Sequence, residues 1–183
     1  MIKEIINRIK FSKKTDRIGP DIIGTYWRLF LLSKMKKLCK KKFLFFSSTA
    51  EFRPGAYAVG CSQISIGERV IIRPGTMLHG ETNSIKNSII IDDDVLIGCG
   101  VHIYVENHSF SNPNIRIIDQ GHSEGKQVVI KKGAWIGANS IILPGVTIGE
   151  NSVIGAGSIV TKSIPSGVVA VGNPVRIIKH IGT

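Results

Sequence analysis

The chain has 183 residues and carries 24 Lys and Arg against 13 Asp and Glu, a net charge of +11. That length suits one domain with an appendage. Cys39, Cys61 and Cys99 lie far apart with no Cys-x-x-Cys pair, which excludes a disulfide framework and a zinc ribbon. No run of 18 apolar residues occurs, so no transmembrane helix is expected. Residues 26–32 are apolar but include Arg28, and no cleavage-like small-residue pattern follows, so the expected compartment is the cytoplasm.

The charge is unevenly placed. Residues 1–45 hold 13 Lys and Arg against 3 Asp and Glu, a net +10, and the remaining 11 against 10 leave +1. Within that segment residues 1–18 read as a helix with Ile2, Ile5, Ile6 and Ile9 on one face, broken by Gly19-Pro20. A second helix is expected from Asp21, as N-cap, to about Lys42. Its apolar side is expected to cap an open end of the body, which would otherwise expose core and unpaired strand edges. Its lysines (Lys34, Lys36, Lys37 and Lys40 to Lys42) suit an anionic membrane surface at about 1 kcal/mol each. Nucleic acid is not an expected partner, since the body has no further basic stripe.

From Phe52 onward a beat of six emerges. It is clearest over residues 130–165, where Ile130, Ile136, Ile142, Ile148, Ile154 and Val160 open successive hexads. The fifth places are small or β-branched: Ala134, Ser140, Val146, Ser152 and Ser158. Sixfold periodicity fits neither a helix nor a hairpin array; it is the signature of a parallel β-helix, with both of these positions facing inward. The beat is also read at Ile66, Ile72 and Leu78, and one extra residue sets it to Ile85, Ile91, Ile97 and Ile103. Cys99 is expected to be a small buried residue of this stack. The beat vanishes over residues 106–127, a polar, turn-forming loop of the length that is usually functional or disordered. The expected organisation is a helical basic segment 1–45, a β-helix 46–165 interrupted by loop 106–127, and a tail 166–183.

Residues 153–165, reading Val-Ile-Gly-Ala-Gly-Ser-Ile-Val-Thr-Lys-Ser-Ile-Pro, and residues 169–176, reading Val-Ala-Val-Gly-Asn-Pro-Val-Arg, resemble the end of a hexapeptide-repeat acyltransferase. The similarity spans about residues 60–180 and is nearest to the sugar O-acetyltransferases that act on galactosides, maltose or bacterial surface polysaccharides. It implies an all-β fold, a left-handed parallel β-helix, and a homotrimer with active sites in clefts between subunits. It also implies acetyl-coenzyme A as co-substrate without a required metal. Matching residues 91–108 to the family's block places the catalytic His on His108. A neutral imidazole there would remove the proton of a sugar hydroxyl as it attacks the thioester.

By the same resemblance the oxyanion donor is the Ala138 backbone, after Trp135-Ile136-Gly137. Trp135, Ala156, Thr161, Lys162, Arg176 and Lys179 are the coenzyme contacts. Asn107 is expected at the acceptor, and His79 stands where some family members present an Asn. Glu106, Asp119 and Glu124 are candidates to orient the imidazole, and His122 to shape the pocket. The Asn107-His108 pair is also similar to that of antibiotic acetyltransferases. A γ-type carbonic anhydrase-like zinc protein, using histidines among His79, His102, His108 and His122, and a non-catalytic trimeric scaffold are the other readings. A surface-glycan acceptor at the inner face of the membrane follows from the basic segment.

Overall fold

A computed structural model of the protein describes residues 2–18, 31–83 and 85–182. Helix α1 spans Ile2–Lys14 and helix α2 spans Leu32–Lys42. The rest is short strands wound into a three-faced prism with sheets of five, seven and six strands. Face 1 carries the inward residues Phe46, Ile66, Ile91, Ile130 and Ile148 in parallel register. Face 2 carries Phe52, Ile72, Ile97, Ile136, Ile154 and Ala170. Face 3 carries Ala58, Leu78, Ile103, Ile142 and Val160.

The hexad rule is therefore obeyed where it was strongest. The opening aliphatics of residues 130–165 are fully buried, and so are Ala134, Ser140, Val146, Ser152 and Ser158. The buried serines satisfy themselves on corner carbonyls, as Ser152 Oγ does by donating to Pro165 O at 2.6 Å and Ser158 Oγ to Gly155 O at 2.7 Å. Each corner between faces 2 and 3 turns on one residue in the left-handed region, as at Gly100 (φ 66°), Asn139 (φ 58°) and Gly157 (φ 70°). Before the turn the coils nearly touch: a Cβ on Gly137 would lie 2.5 Å from the Ala156 nitrogen.

The corners are not alike. Stepping from face 1 to face 2, or from face 2 to face 3, always takes six residues between inward positions (46 to 52, 52 to 58, and so on). From face 3 back to face 1 the steps are 58 to 66, 78 to 91, 103 to 130 and 142 to 148, that is 8, 13, 27 and 6 residues. All the inserted chain lies on this one corner. The single extra residue expected near Ile85 is in fact a seven-residue excess, and Ile85 sits in no strand and is only half-buried.

Several other expectations are corrected. Helix α1 stops at Lys14, and Arg17–Ile18 form a strand antiparallel to Tyr57–Val59. The Asp21 N-cap lies outside the described residues. Cys99 is exposed, because the third hexad place points outward, whereas Cys39 and Cys61 are buried. Burial pushes both of those thiols up to about 12, which makes them inert packing groups. Strand Val168–Val171 continues the coil beyond residue 165, and Arg176–His180 folds back antiparallel on it. Helix α2 caps the first coil with buried Met35 and Cys39, and the Phe43 ring packs at a tilt against Phe46 and Phe52, with centroids 5.6 Å and 5.5 Å apart.

Candidate active site

The corner between faces 3 and 1 holds the chemistry. The strand His102–Tyr104 runs into the long insertion, whose two legs are zipped at the base. Ser123 N donates to Asn107 O at 2.8 Å, Ser109 N donates to Gly121 O at 2.9 Å, and His108 bridges His122 antiparallel. The tip is tied by Gln120, whose Nε2 donates to Asn112 O at 2.9 Å and Ile115 O at 2.7 Å. So the loop is ordered, and not wholly polar: Phe110 is 75% and Ile118 84% exposed at its tip.

Beneath the legs is a cavity of about 510 Å³ lined by Val59, His79, Glu81 to Asn83, Tyr104, Glu106, Asn107, His108 and His122. Register explains the gathering. Val59, His79 and Tyr104 occupy one place on three successive coils, so residues 20 and 25 apart in sequence become neighbours. The His79 ring stacks on Tyr104 at 4.8 Å and 15°, and Tyr104 Oη lies 3.0 Å from His102 Nδ1. Burial, and then the neighbouring His102, lowers the pKa of His79, favouring its neutral form. The ring beside His108 is that of His122, centroids 4.4 Å apart. Of the carboxylates expected to orient His108, Glu106 shares its cavity, Asp119 ends a short turn at the exposed tip and Glu124 faces elsewhere.

A second cavity of about 450 Å³ adjoins, lined by Asn107, Ser123, Glu124, Lys126, Leu143, Pro144 and Thr161. Asn107 lines both. The structure thus brings together His79, Asn107, His108 and Thr161 on one corner, with exposed Lys162 following Thr161. It does not bring Ala138 and Ala156 to them within one chain; these lie on the corner between faces 2 and 3, stacked through Gly137. Trp135 stands outward on face 2, 50% exposed, and Arg176 and Lys179 are exposed on the last strand of that face. Among the described residues, the amides of Cys99, Ala138 and Ala156 make no backbone hydrogen bond, and they form a column on successive coils of that corner. Tyr104, Glu81 to Asn83 and Lys126 were not anticipated. Among the described residues no group of three or more His, Cys, Asp or Glu is gathered for a metal ion.

Residues 127–162 match the family described as bacterial transferase hexapeptide (six repeats). The chain is 36% identical over 146 residues to the galactoside O-acetyltransferase of Lactococcus lactis subsp. lactis (strain IL1403), covering 79% of this chain and 67% of the relative. It is 35% identical over 150 residues to the galactoside O-acetyltransferase of Escherichia coli (strain K12), covering 82% and 70%. This chain belongs to the hexapeptide-repeat acyltransferases. A solved galactoside acetyltransferase in complex with coenzyme A superposes with a TM-score of 0.73 at 30% identity, over 97% of this chain and 90% of that one. The fold is accordingly the left-handed β-helix of that family, and the protein is an acetyltransferase. No helix among the described residues is long and apolar enough to cross a membrane.

Proposed function

We propose that the protein is an O-acetyltransferase that moves the acetyl group of acetyl-coenzyme A directly to a sugar hydroxyl, with His108 as general base. The observation that carries this reading is the cavity that sets His108 beside His79, Asn107 and Tyr104 on the corner where all the insertions collect. The sugar is assigned to a bacterial surface polysaccharide or its precursor.

A hydroxyl is a weak nucleophile at neutral pH. The His108 imidazole takes its proton while the oxygen bonds to the thioester carbonyl carbon. The carbonyl electron pair moves onto oxygen, where the Ala138 N–H donates to the oxyanion. The C–S bond then breaks, and the leaving thiolate takes the proton held by the imidazolium. No acyl-enzyme is formed. Because Ala138 and His108 lie on different corners of one prism, the reaction centre is completed by a second copy, which makes the working unit the family's homotrimer. The exposed Phe110 and Ile118 of the loop tip suit such an interface.

Coenzyme A fits the donor column. Small Ala138 and Ala156 side chains leave the backbone N–H groups open to an extended amide chain, and Trp135 flanks it. Thr161, Lys162, Arg176 and Lys179 supply the hydroxyl and cations for its polar end. Calorimetric titration with acetyl-coenzyme A and thioester-consumption assays on acceptor sugars test the reading. His108→Ala retains coenzyme binding and loses turnover by at least about 10²; equal rates in the variant remove His108 from the mechanism.

The N-terminal segment holds this enzyme to the anionic inner face of a membrane, where lipid-linked saccharides are assembled. Helix α1 exposes Ile2, Ile5, Ile6 and Phe11 next to Lys3, Lys10 and Lys14, and α2 exposes Lys34, Lys37, Lys40 and Lys41. The full chain is expected to sediment with phosphatidylglycerol vesicles at low salt and not with phosphatidylcholine vesicles; equal recovery from both ends this assignment.

A further inference from the structure

The two legs of the long insertion meet rung by rung, and the rung at His108 is of a particular kind. Ser123 N donates to Asn107 O at 2.8 Å and Ser109 N donates to Gly121 O at 2.9 Å, so the hydrogen bonds flank His108 and His122 instead of joining them. Residues opposite each other between such bonds form the close type of antiparallel pair, with their side chains on one side of the ladder. Asn107 N also donates to Ser123 Oγ at 3.1 Å, which ties the neighbouring rung a second time. The two imidazoles are pressed together as a result, with centroids 4.4 Å apart and ring planes 32° from parallel.

What holds His108 matters, because a general base works only where its nitrogen reaches the proton it removes. The His108 side chain is exposed, and an unsupported imidazole has three χ1 wells and two broad χ2 orientations, about six states. Among the described residues no hydrogen bond or ion pair joins its ring to Glu106, Asp119 or Glu124. The ring set against it is that of His122, and both belong to one chain, so the contact is carried into any assembly of copies. Resting on the general-base reading, we infer that His122 is a positioning residue for His108: its ring packs on the base and keeps it turned to the cavity, without taking a proton itself. A flat ring at residue 122 is the requirement, and a nitrogen there is not.

The test combines thioester-consumption kinetics, with the sugar that the parent uses best, and proton NMR of the His108 ring. His122→Ala is expected to lower kcat about fivefold, as the freed base spreads over its six states, with KM for acetyl-coenzyme A unchanged. His122→Gln, polar but without a ring, should be as slow. His122→Phe keeps a flat ring without nitrogen and should recover kcat to within about twofold of the parent. The His108 ring protons, identified by their loss in His108→Ala, should be displaced by the neighbouring ring in the parent and in His122→Phe, and should move to free-imidazole positions in His122→Ala and His122→Gln. Parent kcat in the two ringless variants overturns the inference, as does a His122→Phe enzyme as slow as they are, or ring-proton positions that ignore all three changes. Failure of every sugar to consume thioester, or a His108→Ala variant at the parent rate, is a separate result: it overturns the acetyl-transfer or general-base reading itself, and this inference with it.

Discussion

Two kinds of corner divide the labour of this prism. Those from face 1 to face 2 and from face 2 to face 3 never depart from six residues, while the one from face 3 to face 1 takes 8, 13, 27 and 6. Since the coils stack in register, chain added at one corner of successive coils lands side by side. Val59, His79 and Tyr104 meet through that register, and the inserted chain that follows Tyr104 adds His108. Lengthening a surface loop costs little, each doubling adding about 0.6 kcal/mol, so this corner can carry chemistry while the other two carry the stacking.

The contrast is broken or upheld most directly by removing matched side chains from the two regions. Ile142 is fully buried on face 3 between Ile103 and Val160, whereas Ile117 is 58% exposed on the inserted loop. Ile142→Ala is expected to lower stability by about 2–5 kcal/mol, through lost burial and the cavity left behind. Ile117→Ala should stay within about 0.5 kcal/mol, as surface changes do. Urea denaturation of both variants checks this, and similar losses at the two sites would mean that the loop shares in the core.

The regular corners were legible in the sequence because each inward residue is announced by its own hexad. The fold, the buried Ser140, Ser152 and Ser158, and the capping role of α2 all follow from patterns within a few residues. The irregular corner was not legible in the same way. His108 and Asn107 could be assigned through resemblance, but Tyr104 joins them only because it is paired with His79 across a ladder, 25 residues away. The excess before Ile91 reads as one residue along the chain, since seven is one more than a hexad; only the pairing of Ile66 with Ile91 reveals a whole insertion contributing Glu81 to Asn83. Cys99 was misplaced for a simpler reason: small residues are common inside, yet its hexad place faces out.

The smallest effect expected is a pH dependence confined to the irregular corner. His79 is half-buried, its ring faces Tyr104 at 4.8 Å and Tyr57 at 6.1 Å, and the ionisable groups around its cavity are Glu81, Glu106, His108 and His122, with His102 behind Tyr104. Burial first and His102 second lower its folded pKa below the ordinary value of about 6.5. The unfolded chain therefore binds a proton at this residue before the folded chain does, and stability rises with pH through that interval. The contribution is fully present above about pH 6.5 and is lost as pH falls toward the folded pKa. His79→Asn removes it. Between pH 7.5 and 5.5 the parent should lose more denaturation midpoint than the variant. Parallel losses would mean that the stacked histidine is as easily protonated in the fold as in the open chain, and the irregular corner would then have no more hold on its charges than solvent has.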